Sequence, residues 1–202
     1  MNNRIAATAA LTLTLTPALL LASCAAPDEA PRADEPSIES GAGSELLQTW
    51  ELDGLDASQI ITRLDEMPVA ERPEALIASI QPDEIIISDD SGAEARVAMP
   101  EDETYLAIAP FREHTHECYF HSLTTCLGEL GDSEVQVTLE TDEGEVLVDE
   151  TRVTYDNGFV GLWVPRGIEG TLTIEQGGDA GRVEIATTGD DDPTCITGLQ
   201  LS

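Results

Sequence analysis

The sequence contains no lysine. Its 9 basic residues are all arginine and face 40 aspartates and glutamates, for a formal net charge of -31 at pH 7. A surface this acidic repels nucleic-acid phosphates and anionic headgroups, which excludes both as partners. It attracts cations in general, and its plainest use is solubility. No apolar run is long enough for a transmembrane helix, which needs roughly 20 residues; the one candidate, Ile5 to Leu21, is broken by Pro17. No flavin or nicotinamide motif is present, so any redox chemistry by thiols would be stoichiometric and the chain does not read as an enzyme. Ser122 follows His121 directly, but neighbours without a third orienting group make no nucleophile and base pair. Asp190-Asp191-Asp192 lacks the spaced oxygens of a calcium loop and reads as a solvated turn. No repeat period of about 20 to 50 residues runs through the chain.

What is there begins at the N-terminus. Met1 to Arg4 is short and basic, Ile5 to Leu21 is apolar, and Leu21-Ala22-Ser23-Cys24 closes the segment. This order reads as a secretory signal over residues 1–23. The cysteine after small residues resembles a bacterial lipobox, which makes Cys24 the expected lipidation site. The mature chain would then sit in the cell envelope, lipid-anchored on the outer side of the cytoplasmic membrane. Residues 24–45 carry Ala, Pro, Asp, Glu, Ser and Gly with few large apolar side chains, and read as a disordered tether. About 155 residues remain for folding, enough for one core or two small ones.

Residues 46–92 read as a small helical N-terminal region. Asp56 caps a helix with Gln59 three residues on, and Ile60, Ile61, Leu64 and Met67 share its face before Pro68 stops it. Pro73 suits a first helical position, so Leu76, Ile77 and Ile80 are expected to stripe a second helix. Ile85-Ile86-Ile87 is a short strand ending at the turn-rich Ser88 to Gly92, where a soft boundary falls. From there the pattern changes. Val135, Val137 and Leu139 alternate with polar residues, as do Leu172 with Ile174 and Val183 with Ile185. Asp142-Glu143-Gly144, Pro165-Arg166-Gly167 and Gly177-Gly178 are turns, and Asn157-Gly158 is a two-residue hairpin signal. A last strand runs from about Thr194 to Leu201. The fold class expected is mainly β, an antiparallel β-sandwich over residues 93–202 preceded by the small helical region.

All 3 histidines lie within eight residues of one another, in His114-Thr115-His116-Glu117-Cys118-Tyr119-Phe120-His121. Cys126 follows closely, and Cys195 stands alone in the final strand. If residues 112–118 are extended, His114, His116 and Cys118 share one face. A sandwich could bring Cys195 beside them. Thiolates suit Cu(I), zinc and iron–sulfur clusters, and imidazole suits zinc and copper. Structural zinc sites favour cysteine pairs separated by two to four residues, which the Cys118 to Cys126 spacing does not match. On the residues alone two readings stand: a copper site, or a disulfide between two of the three thiols in an exported protein. The second would make the chain a disulfide-stapled sandwich for binding a partner protein.

The stretch from Phe111 to Leu130, the Tyr155-Asp156-Asn157-Gly158-Phe159 turn and the Asp192-Pro193-Thr194-Cys195 ending resemble the CueP family of periplasmic copper-binding proteins over roughly residues 46–202. The resemblance implies copper as the bound species, a role in copper tolerance and the supply of copper to an exported copper-requiring enzyme. It places the family's three cysteines on Cys118, Cys126 and Cys195, and the clustered residues themselves add His114, His116 and His121 as further candidate ligands. It also implies thiol-driven reduction of Cu(II) to Cu(I) and a homodimer held by the N-terminal part. Family members from Gram-negative bacteria are free in the periplasm, so the lipobox at Cys24 is a departure.

Overall fold

The structure is a computed structural model and describes residues 41–202. The signal segment, the lipidation site Cys24 and most of the tether lie outside those residues. The tether's expected last residues, 41–45, instead open helix α1 (Gly41–Thr49), which buries Leu46 and Leu47. Helix α2 (Ala57–Asp65) carries the expected capping box: Asp56 accepts from the Gln59 amide, and Gln59 reaches back to the Asp56 amide. Ile60, Ile61 and Leu64 face the core, and so does Asp65.

Among the described residues ten strands follow: β1 (Leu76–Ile80), β2 (Glu84–Asp89), β3 (Glu94–Ala98), β4 (Glu103–Ile108), β5 (Glu134–Thr141), β6 (Val146–Val153), β7 (Val160–Pro165), β8 (Glu169–Gln176), β9 (Asp179–Ala186) and β10 (Cys195–Ile196). They form three sheets, ordered β1-β2-β3, β10-β4-β7 and β6-β5-β8-β9. Pairing is antiparallel except between β10 and β4. The chain is mainly β, with two α-helices at the N-terminal end of the described residues.

The middle sheet is buried on both faces. Along β4 and the residue after it, Tyr105, Ala107 and Ala109 join a core shared with α1, α2 and the first sheet. Leu106 and Ile108 join a second core against Val135, Val137, Leu139, Leu172 and Ile174 of the third sheet. Alternation is the ordinary consequence of side chains pointing to opposite faces. A strand covered on both sides reads as the continuous apolar run seen from Tyr105 onward. The third sheet has one wet face, hence its clean apolar and polar alternation.

Three local expectations change. Residues 76–80 form strand β1, not a helix. Leu76, Ala78 and Ile80 point inward and Ile77 outward, a period of two that a helical stripe of 76, 77 and 80 had obscured. Asn157-Gly158 does not close a hairpin, because β6 and β7 lie in different sheets. Of the two, only Gly158 takes a positive φ, at 79°, whereas the tight hairpin turn needs both. The last strand shortens to Cys195–Ile196, with a single further bridge at Gln200 to Phe111. The Gly177-Gly178 turn does join β8 to β9, with both glycines at positive φ. The turn after β2, at the expected soft boundary, connects β2 to β3 within one sheet.

Candidate metal centre

After β4 the chain leaves the middle sheet as an irregular loop from Arg112 to Cys126. The expected extended strand over residues 112–118 is absent. The amides of Arg112, Glu113 and His114 all donate to Glu129 Oε2, at 3.0, 2.9 and 2.8 Å. Three successive amides converging on one carboxylate curl the backbone at residues 112–114, so His114 no longer shares a face with His116 and Cys118. His114 is exposed, while His116 and Cys118 turn inward.

The far end of the loop is pinned to the first sheet. Ile80 donates to His121 O at 2.8 Å and Leu123 donates to Ala78 O at 2.8 Å. The Thr194 hydroxyl accepts from the His121 amide at 3.0 Å and donates to Ile80 O at 2.7 Å. Both Thr194 and Cys195 donate their amides to Tyr119 O at 3.0 Å. Together these bonds bring the start of β10, distant in sequence, against the loop.

The result is a cluster of His116, Cys118, Cys126 and Cys195, whose ligand atoms all lie within 4.8 Å of one another. Cys118 Sγ stands 3.5 Å from Cys126 Sγ. All three thiols are free. Donor atoms around one ion, with metal–sulfur bonds of about 2.3 Å, are roughly 4 Å apart, so the group has the dimensions of a metal site. His116 Nε2 is buried with no hydrogen-bond partner, an orphaned acceptor or donor that a metal would satisfy.

The charge in the cluster is uneven. Cys118 and Cys195 hydrogen-bond to Cys126 and hold its thiol well below the usual range against burial, helped by the His121 charge. The same bond to Cys126 pushes Cys118 up to about 11. Cys195 is raised by its bonds to the other two thiols and by burial. Of the three thiols, Cys126 is the one whose surroundings favour the thiolate. The Ser122 amide, 3.4 Å from Cys126 Sγ, supports it.

Behind the sulfurs lies a buried polar brace. His121 Nδ1 stands 3.9 Å from Cys195 Sγ, and its Nε2 stands 3.0 Å from Asp65 Oδ1. Both residues are fully buried, at 0% exposure. Asp65 also accepts from Tyr105 Oη at 2.7 Å and from Asn157 Nδ2 at 2.8 Å. Asn157 Oδ1 accepts from the Phe159 amide at 2.9 Å, and the Phe159 ring lies 4.5 Å from the His121 ring. Burial raises the Asp65 carboxyl, but the bond and charge of His121, with Tyr105 and Asn157, hold it below the ordinary range. Burial lowers His121, yet Asp65 and Cys126 together raise it to about 9. A ring whose second nitrogen is fixed by a carboxylate is the usual support of a metal-site histidine.

Of the sequence candidates, the cluster gathers Cys118, Cys126, Cys195 and His116. His121 contacts Cys195 and braces it, and His114 stays outside. Sequence reasoning missed Asp65, Tyr105, Asn157 and Arg72, whose Nη1 donates to Cys126 O at 2.7 Å. Asp65 left a signal as a carboxylate on an apolar helix face, four residues after Ile61, and Asn157 lies in the 155–159 turn that carries the family resemblance.

Comparison with known proteins bears on the same residues. A family model described as periplasmic copper-binding protein CueP matches residues 59–200. The chain belongs to the CueP family. That match spans Asp65, His116, Cys118, His121, Cys126 and Cys195, so both the sulfur cluster and its brace lie inside the CueP region. A solved structure described as the crystal structure of S.CueP is 34% identical, with a TM-score of 0.74, and the match covers 81% of this chain and 99% of that one. No curated protein matches the chain. Among the described residues no helix is long and apolar enough to cross a membrane.

Proposed function

We propose that this chain binds one Cu(I) through Cys118, Cys126 and Cys195, with His116 beside them, as a lipid-anchored protein of copper tolerance or delivery in the cell envelope. The observation that carries the reading is the meeting of three free thiols and one imidazole within 4.8 Å, in a chain of the CueP family. Soft sulfur donors favour Cu(I). On binding, the ion displaces the thiol protons, and the sulfurs become three thiolates. His121 keeps Cys195 in place from behind.

The same thiols can reduce Cu(II). Two thiols give up two electrons and two protons and become one disulfide, while two Cu(II) become two Cu(I). The reaction is stoichiometric without a thiol donor to restore the pair.

The test is an anaerobic titration of the reduced protein with Cu(I) against a chromophoric chelator. About one Cu(I) per chain is expected, and Cys118, Cys126 and Cys195 replaced together by serine should abolish tight binding. A triple variant that binds Cu(I) as tightly as wild type would sink the reading. A reduced protein that takes up no copper at all would favour the disulfide-stapled partner-binding module instead.

A further inference from the structure

The four donors are not equivalent. Cys126 and Cys195 are buried, at 8% and 3% exposure, whereas His116 and Cys118 are half-buried. The supports differ in the same direction. Cys195 sits on β10, locked to β4 by the Ala107 and Ala109 amides, and it is backed by His121 and Asp65. Cys126 is held through its sulfur by the Ser122 amide and through its carbonyl by Arg72. His116 has none of this. Its Nε2 lacks a partner, no carboxylate fixes its ring, and its nearest aromatic neighbour, Phe159, is 6.3 Å away edge-on. It lies in the part of the loop without regular structure, two residues from the exposed His114.

We infer that the centre is polarised, with Cys126 and Cys195 as the retaining pair and His116 with Cys118 as the exchange pair. His116 acts as a shuttle ligand that hands copper in and out. The inference rests on the Cu(I) reading above. A braced, buried pair gives slow loss and a fixed geometry. The His116 residue is half-buried and its ring is unbraced, although Nε2 itself is buried; a ring that nothing holds can turn to meet an incoming ion ahead of the buried Cys126 and Cys195. It can also let go first, when a thiol- or imidazole-bearing acceptor attacks the copper from the open side. Each exchange swaps one metal–ligand bond for another, and no electron moves. A ligand used in passage lowers the barrier in both directions and leaves the equilibrium nearly alone.

The experiment is stopped-flow transfer of Cu(I) between the full chain and a chromophoric chelator in both directions. His116→Ala is expected to slow loading and release alike, by about tenfold each, while Kd changes by less than about threefold. Cys195→Ser is expected to show the opposite split, with release faster and loading unchanged. A His116→Ala variant whose Kd weakens tenfold through release alone makes His116 a permanent ligand and overturns the inference, as does one with unchanged rates. Alkylation of the copper-loaded wild type needs no variant. Cys118 should be labelled first, and earlier labelling of Cys126 or Cys195 would reverse the assigned polarity. A wild type that binds no Cu(I) overturns the functional reading itself, a result distinct from the others.

Discussion

Asp65 is the residue on which the site turns. A carboxylate fully removed from water is costly unless it is paired and hydrogen-bonded, and Asp65 has three side-chain partners. Removing one member of a buried pair leaves the other uncompensated, at about 3–5 kcal/mol. Asp65→Ala should therefore lower the unfolding free energy of the apo protein by roughly that amount in urea titrations. The pair also makes stability depend on pH. His121 is raised to about 9, so its contribution is complete below its ordinary value of about 6.5 and is lost as pH rises through about 9. Asp65 is lowered, so its contribution is present above about 3.9 and is lost as pH falls through its depressed value. The urea-midpoint difference between reduced apo wild type and Asp65→Asn, which isolates this pair, should be largest between about pH 4 and 6.5 and shrink toward pH 9. A difference that grows over the alkaline range would contradict this. None of this pairing was legible beyond the oddity of a carboxylate on an apolar face. The partners come from β4, the loop and the 155–159 turn, which no local pattern links.

At the scale of elements, the site depends on how β4 and β7 lie side by side. Gly161 pairs with Ala107, and the Tyr105 ring occupies the space a side chain at Gly161 would need. Tyr105 in turn donates to Asp65. Gly161→Ala should expel the ring, break its bond to Asp65 and weaken Cu(I) binding measurably, although residue 161 touches no sulfur. Calorimetry would report a lower Tm and the chelator competition a weaker Kd. Unchanged copper affinity would mean that Tyr105 does not support the site. The misread of residues 76–80 has a simple cause at this scale. Leu, Ile, Ala and Ile at five adjacent positions satisfy a helical and a strand period equally. Pairing with β2 decides for the strand, because β1 and β2 together cover the core behind His121.

At the scale of the whole molecule, the net charge and the proposed lipid bear on where the protein works. The formal charge of -31 draws cations and keeps the acidic surface away from anionic ones. The proposed lipid at Cys24 holds the folded part near the membrane all the same. Cys24→Ser should release the protein from the membrane fraction into a soluble one with copper binding intact, as fractionation and immunoblotting would show. A variant that stays with the membrane would remove the anchor from the account.

The sequence by itself determined the chemistry and the local elements. Sulfur, imidazole and carboxylate are named by their residues, the capping box at Asp56 and the alternating strands are patterns of near neighbours, and the Phe111 to Leu130 stretch points to a family. Tertiary structure alone decided which of those groups meet. The Glu129 carboxylate curls the loop and turns His114 away, parallel pairing with β4 brings Cys195 to Cys118 and Cys126, and α2 delivers Asp65 to His121. The Glu129 contact closes one loop, whereas the other two join segments far apart in the chain. Such contacts form only when distant elements bury a common core, and local periodicity carries no record of them.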